Sequence, residues 1–290
     1  MNIRLPKHLG MCFGVRDAID LTHRIVADAP LTVLGELVHN PVVVSRLQEL
    51  GVRRADLDSP GPAPTRRVLI TAHGASNSQK RRWQEMGHQV IDTTCPLVRK
   101  AHDSLAALVA DGYFPVVVGT PGHPEVQGLT GDFPDAQVVS AEIDVERLPF
   151  HPRIGVIAQT TQPSRFVQGI VARIQNQHQT ADVRFIDTVC QPTKNRQAAL
   201  EHLCRENDSI VVIGGRNSNN TRHLLFQARS LGCRACQVET AADLQFEWFA
   251  GALNVGVTAG TSTLPETIDG VVARLKEIAE CQEGVTAHST

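Results

Sequence analysis

DTTCPLV (residues 92–98) and DTVCQPT (187–193) open on the same wording, and each sets a cysteine, Cys95 or Cys190, between a polar turn and a helix-like run. A third cysteine, Cys12, lies in GMCFGV (10–15) and is followed 27 residues later by His39. Cys95 is followed 28 residues later by His123, and Cys190 28 residues later by Ser218. A second polar loop comes next in each case, with His73 in TAHGAS, Thr160 in AQTTQ and Ser262 in AGTST, after a further 34, 37 and 44 residues. A period of about 90 residues exceeds the roughly 20–50 of solenoid repeats, so each unit is expected to be a small domain. Borders fall at the cysteine loops: residues 1–95, 96–190, and 191–290 with a C-terminal helix.

Short apolar runs alternate with helical patterns along the whole chain: LTVL (31–34), VLIT (68–71), VVVG (116–119), IGVIA (154–158), SIVVIGG (209–215) and NVGVT (254–258). Runs without in/out alternation are strands covered on both faces, as in parallel sheets with right-handed crossovers. The expected fold is α/β, three pseudo-symmetric αβα domains with mostly parallel sheets. The singled-out residues then share one location, the carboxyl end of a strand just ahead of a helix, where open parallel sheets bind ligands. Equivalent loops facing a common axis would gather three thiols with a ring of His, Thr, Ser and Asn. Helix N-termini gathered there favour an anionic, phosphate-bearing ligand. Pro96 is the expected first residue of one such helix and Pro124 of another. DLDSPGPAPT (56–65) reads as a surface excursion rather than a border.

Composition narrows the function. Hydrophobic residues are 42% of the chain and no apolar run approaches the roughly 18 residues of a membrane span. The opening MNIRLPKHLGMCFG has no continuous apolar core and no small-residue cleavage site, so a cytoplasmic, reducing setting is expected. Seven cysteines there read as thiols or metal ligands. A net charge of −2 and 4% aromatics with one tyrosine leave neither the electrostatic nor the stacking footprint of a nucleic-acid binder. Arg66–Arg67 and Lys80–Arg82 read as solvated faces.

Among the cysteines, Cys204 and Cys281 fall inside helical patterns, and Cys233 and Cys236 form a CxxC without a zinc-spaced partner, so packing accounts for them. Cys12, Cys95 and Cys190 obey the domain period. Three thiolates without a clear fourth ligand suit a [4Fe–4S] cluster with one open iron, and a zinc site completed by His123 is the alternative. Glu125, in GTPGHPEVQG, is the carboxylate suited to proton delivery, or else a first-turn acid complementing a helix dipole. His39, His73, Ser218, Asn220 and Ser262 are donors of the kind that hold diphosphate oxygens, or N-caps.

The series MCFGV, VHNP, AHGAS, DTTCPLV, GHPEV, QTT, DTVCQPTKNRQ, NSNNT and AGTST, in that order over nearly the whole chain, resembles the family of 4-hydroxy-3-methylbut-2-enyl diphosphate reductases, the last enzymes of the non-mevalonate isoprenoid pathway. The resemblance implies a central [4Fe–4S] cluster held by Cys12, Cys95 and Cys190. It implies an allylic diphosphate substrate held by His39, His73, His123, Ser218, Asn219, Asn220 and Ser262, with Glu125 supplying protons, Thr160 positioning the hydroxyl and His123 also at the catalytic centre. Products would be isopentenyl and dimethylallyl diphosphate, with electrons from an external donor such as ferredoxin or flavodoxin. Two features depart from the family pattern: the lead HLGM into the first cysteine, and Asn219 where a second serine is usual. A lyase of the quinolinate-synthase kind and a cluster-based sensor are the rival readings.

Overall fold

The computed structural model describes residues 1–287. In chain order the elements are β1 (Asn2–Arg4), α1 (Phe13–Asp28), β2 (Leu31–Leu34), α2 (Pro41–Glu49), β3 (Arg53–Ala55), β4 (Arg67–Ile70), α3 (Asn77–Glu85), β5 (Gln89–Asp92) and α4 (Pro96–Ala110). Then come β6 (Phe114–Val118), α5 (Pro124–Thr130), β7 (Gln137–Val139), α6 (Glu142–Val145), β8 (Arg153–Ala158), α7 (Ser164–Gln177), β9 (Asp182–Phe185) and α8 (Gln191–Glu206). The last are β10 (Ser209–Ile213), α9 (Asn219–Ser230), β11 (Arg234–Val238), β12 (Asn254–Ala259) and α10 (Pro265–Ala287).

The strands form three four-stranded sheets, β3-β2-β4-β5, β7-β6-β8-β9 and β1-β12-β10-β11, and every pairing is parallel. The α/β architecture expected from the apolar runs is therefore present three times. The six runs read from sequence are the two central strands of each sheet, buried along nearly their whole length. The edge strands, such as RRA, QVID and DVRF, are half exposed and carry charges, the usual protection of a sheet edge.

The chain divides into two compact units. One comprises Phe13–Val38 and Val42–Cys190 and holds the first two sheets; the other comprises Met1–Cys12, His39–Pro41 and Gln191–Thr290 and holds the third. Consecutive borders at residues 95 and 190 do not provide the third sheet with its edge. That edge is β1, whose Asn2, Ile3 and Arg4 lie in register with Asn254, Val255 and Gly256. Backbone pairing is indifferent to distance along the chain, so the first residues close the last sheet.

With β1 counted there, each sheet has the same order of construction: a first strand at its centre, a second at one edge, a third beside the first and a fourth at the far edge. The fourth strands are β5, β9 and β1, followed by Cys95, Cys190 and Cys12, and in each case the very next residue starts the helix α4, α8 or α1. Each sheet has its own core: Val68, Ile70 and Trp83 in the first, Val116, Ile154 and Ile170 in the second, Val211, Val257 and Leu275 in the third.

The breaker-rich segment 56–65 is an irregular connection between β3 and β4, as read from sequence. It is tied to α3 by the fully buried Trp83, whose indole N–H donates to the Leu57 carbonyl at 2.9 Å. In the basic runs Arg66 and Arg81 are exposed as expected, whereas two neighbours are paired. Arg67 pairs with Asp28 at the end of α1 at 2.7 Å, and Lys80 pairs with Asp92 at 2.9 Å. Among the described residues no helix is long and apolar enough to cross a membrane.

Deleting residues 1–4 removes three ladder pairings and the Ile3 side chain that packs on the third core. A loss on the order of 2–4 kcal/mol in urea unfolding is expected. A midpoint unchanged by the deletion would show that β1 contributes nothing to the third sheet.

Candidate active site

The repeated cysteine wording has a backbone cause. In DTTC, Asp92 accepts the amide N–H of Thr94 at 2.9 Å, and the Thr93 hydroxyl donates to the Ile70 carbonyl at 2.5 Å. In DTVC, Asp187 accepts the amide of Val189 at 3.1 Å, and the Thr188 hydroxyl donates to the Ala158 carbonyl at 2.5 Å. The aspartate makes the turn after the fourth strand and the threonine ties it to the end of the third. The cysteine amides then donate to the third-strand loops: Cys95 to Ala72 at 3.1 Å, Cys190 to Thr160 at 2.9 Å and Cys12 to Thr261 at 3.0 Å. In the third sheet the threonine's place is taken by Gly10, whose amide donates to Ala259 at 3.3 Å. Arg196, which sequence reasoning passed over, is buried and donates to the Gly10 carbonyl and, at 2.9 Å, to Pro192.

None of the seven cysteines is in a disulfide, and Cys12, Cys95 and Cys190 are each partly exposed. A donor set of three thiols, each at the same point of its sheet and each leading into a helix N-terminus, fits an iron–sulfur cluster. Gly14 supports that fit at Cys95. A Cβ at position 14 would stand 2.5 Å from the Cys95 sulfur, so only glycine leaves that sulfur its place. The other cysteines have packing surroundings. Cys233 precedes β11 and its thiol donates to the Cys204 carbonyl at 3.4 Å, while Cys236 sits within β11 against the Ile210 carbonyl. Burial pushes the Cys204 thiol up to about 12, with the Cys233 thiol beside it adding to the rise, and burial pushes Cys236 up to about 11. Cys233 and Cys236 pack against different cores, the first with Leu200 and Leu203, the second with Val211 and Val257.

In the unit holding the first two sheets, His123 is the N-cap of α5, its Nδ1 accepting the amide N–H of Glu125 at 3.1 Å. An accepting Nδ1 leaves the ring proton on Nε2, making that face a donor. His73 follows β4 in the loop 71–76, its amide donating to the Thr71 hydroxyl at 3.3 Å. The two imidazoles, carried by different sheets, meet edge to face with centroids 5.4 Å apart. Two glutamines unnoticed in sequence pin the loops: the Gln159 side-chain oxygen accepts the Thr120 amide at 3.0 Å and the Gln162 side chain at 2.9 Å.

Glu125 stands in the first turn of α5, 2% exposed. One carboxylate oxygen accepts the Thr160 amide at 2.6 Å and the other the Thr160 hydroxyl at 3.0 Å. Burial pushes its pKa from an ordinary 4.5 to about 7, against the two Thr160 donors that pull it down. A first-turn acid serving only the helix dipole would be solvated. Glu125 is instead poised to hold or release a proton near neutral pH.

In the other unit, the Asn40 side-chain amide donates to the Ser262 carbonyl at 2.6 Å and the Ser262 hydroxyl to the His39 carbonyl at 3.3 Å. Asn40 belongs to the VHNP motif but its neighbour His39 drew the attention. Ser218 caps α9, accepting the Thr221 amide, with Asn219 and Asn220 buried in the first turn. The Asn220 side-chain nitrogen is buried and has no hydrogen-bond partner among the described residues. A buried donor without an acceptor is costly, and a ligand oxygen at this helix N-terminus would satisfy it.

Comparison with known proteins gives one family. The family model described as LytB protein matches residues 3–276. The 4-hydroxy-3-methylbut-2-enyl diphosphate reductase of Aquifex aeolicus is 36% identical over 288 residues, covering 97% of this chain and 98% of the relative. That of Citrifermentans bemidjiense is 39% identical over 284 residues, covering 96% and 98%. Among solved structures, the E-1-hydroxy-2-methyl-but-2-enyl-4-diphosphate reductase of Plasmodium falciparum superposes with a TM-score of 0.87 at 25% identity, covering 94% of this chain and 87% of that one. A second, described as the terminal enzyme of the non-mevalonate pathway, gives a TM-score of 0.68 at 35% identity, covering 95% and 99%.

The raised Glu125 pKa makes stability depend on pH. Folded Glu125 keeps its proton up to about 7 while the unfolded carboxyl releases it near 4.5, so its contribution is complete below pH 4.5 and is lost as pH rises to about 7. Glu125→Gln removes this slope. Relative to that variant, the wild type should lose roughly 2–3 kcal/mol between pH 5 and pH 8 in urea midpoints. Parallel pH curves for the two proteins would show that the Glu125 carboxyl is not perturbed.

Proposed function

The chain belongs to the LytB protein family, and from that premise we propose that it is a 4-hydroxy-3-methylbut-2-enyl diphosphate reductase, removing the substrate's allylic hydroxyl as water at the cost of two electrons and two protons. The products are isopentenyl and dimethylallyl diphosphate. Cys12, Cys95 and Cys190 are the thiolate ligands of a [4Fe–4S] cluster, a role supported by their equivalent places after the three fourth strands and by the sulfur room beside Gly14. When bound, the cluster supplies electrons and an open iron able to act as a Lewis acid on the substrate oxygen. The electrons come from an external donor such as ferredoxin or flavodoxin. The setting is the cytoplasm, in keeping with seven cysteines outside any disulfide.

The chain's own residues do the rest. Thr160 presents its hydroxyl 3.0 Å from Glu125, so a proton held on the carboxyl can pass along this pair to the departing hydroxyl. His39, His73, His123, Ser218, Asn219, Asn220 and Ser262 bind the diphosphate. Neutral imidazole, hydroxyl and amide donors suit an anion without adding a fixed charge. The Asn220 amide, buried with no partner among the described residues, is one such donor. The single observation that carries the reading is the buried Glu125 carboxyl, held by Thr160 and poised near neutral pH.

The test is anaerobic turnover with reduced viologen and the hydroxymethylbutenyl diphosphate. A reductase consumes both over many cycles; a lyase consumes no viologen, and a sensor gives one response per cluster. Four irons and four sulfides per chain are expected, against the single metal of a zinc site. Cys95→Ser should lose the cluster, because a hydroxyl is a poor substitute for thiolate, whereas replacing Cys233 and Cys236 together should leave iron unaltered. Glu125→Gln should keep the cluster and lose turnover by about 100-fold or more, and wild-type turnover should decline as pH rises above about 7. A Glu125→Gln enzyme running at the wild-type rate would remove the carboxyl from the proton path.

A further inference from the structure

Between the rings of His73 and His123 the separation is set by backbone packing. His123 rides on α5 and His73 on the loop 71–76 of the neighbouring sheet. Gly128, on α5, faces that loop so closely that a Cβ there would lie 3.2 Å from the Ala75 Cα and 3.3 Å from its nitrogen. Just beyond the helix, a Cβ at Gly131 would stand 2.9 Å from both the Cβ and the Oγ of Ser76. The next residue, Asp132, accepts the amide N–H of Asn77 at 2.6 Å and of Ser78 at 2.9 Å, at the start of α3. Burial pushes the Asp132 carboxyl up, but those two amide donors outweigh it and hold it below the usual carboxylate range.

We propose that Gly128, Gly131 and Asp132 form a latch that positions His123 against His73, and so sets the spacing of two diphosphate-binding imidazoles without touching the substrate. The inference rests on the diphosphate role given to these histidines above. The obstacle opposite Gly128 is backbone, which no rotamer change can clear, so a methyl group there must displace either α5 or the loop. α5 has only seven residues and moves as one piece, carrying His123 with it. Asp132 fastens the same contact from the other end through a charge-assisted cap.

Gly128→Ala in the cluster-loaded enzyme should raise KM for the substrate about tenfold, because the binding groups are misplaced, and should lower kcat as well, because Glu125 rides on the same short helix. Inorganic pyrophosphate, used as a competitor, should weaken in parallel. Alanine is favoured over glycine inside a helix, so any loss reports the contact and not the helix. Asp132→Ala should shift KM in the same direction and serves if Gly128→Ala does not fold. Gly169→Ala, on α7 where nothing lies within 4 Å of the added methyl, should leave KM unmoved.

A merely structural role predicts a lower Tm and a smaller active fraction at unchanged KM and unchanged pyrophosphate inhibition, and that result overturns the latch. Absence of turnover in the wild type would instead strike the reductase assignment. Wild-type turnover with unmoved KM in both variants strikes the latch alone.

Discussion

Each cysteine of the triplicate motif donates a hydrogen bond from its own amide to a carbonyl in the loop after the third strand of its sheet: Cys95 to Ala72, Cys190 to Thr160, Cys12 to Thr261. The bond fixes the cysteine beyond the sheet's edge strand and directly ahead of the next helix. The constraint is tightest at Cys95, where the chain must leave β5, turn, and enter α4 across residues 93–95. Asp92 and Asp187 make that turn and Thr93 and Thr188 anchor it. A cysteine displaced by one residue would face away, because neither the strand nor the helix that flanks it can slip without exposing its apolar face.

The polar loops have a second constraint, the need to satisfy buried groups. Glu125 is accommodated because Thr160 offers two donors from one residue, and the remaining burial cost appears as a pKa near neutrality. The folded protein thereby carries a carboxyl that titrates near neutrality at a cost in stability. His123 shows the same economy, one ring nitrogen capping α5 while the other carries the ring proton. The loops are short, and glutamines 159 and 162 hold them by side-chain bonds rather than by apolar packing.

Much of this was legible in the chain. The six central strands were readable because a strand covered on both faces is a continuous apolar run, and α4 and α5 announced themselves by Pro96 and Pro124. Edge strands such as RRA and DVRF were not, because they alternate weakly and carry the charges that guard an edge. The pairing of Asn2–Arg4 with β12 was invisible for another reason: a backbone ladder leaves no side-chain signature of its distant partner. Arg67 and Lys80 looked like solvent-facing charges, and their partners Asp28 and Asp92 lie 39 and 12 residues away in sequence.

Sequence by itself determined the threefold repeat, the α/β class, the three periodic cysteines and the polar residues at strand ends, since spacing and residue type are local properties that survive without coordinates. Only the tertiary structure decided that the first strand completes the last sheet, that Cys233 neighbours Cys204 and not Cys236, that Asn40 and Arg196 brace the loops beside Ser262 and Gly10, and that Glu125 is buried against Thr160. These are contacts between segments far apart along the chain. They depend on how helices pack over sheets, a property of summed side-chain volumes and shapes that no short stretch of sequence contains.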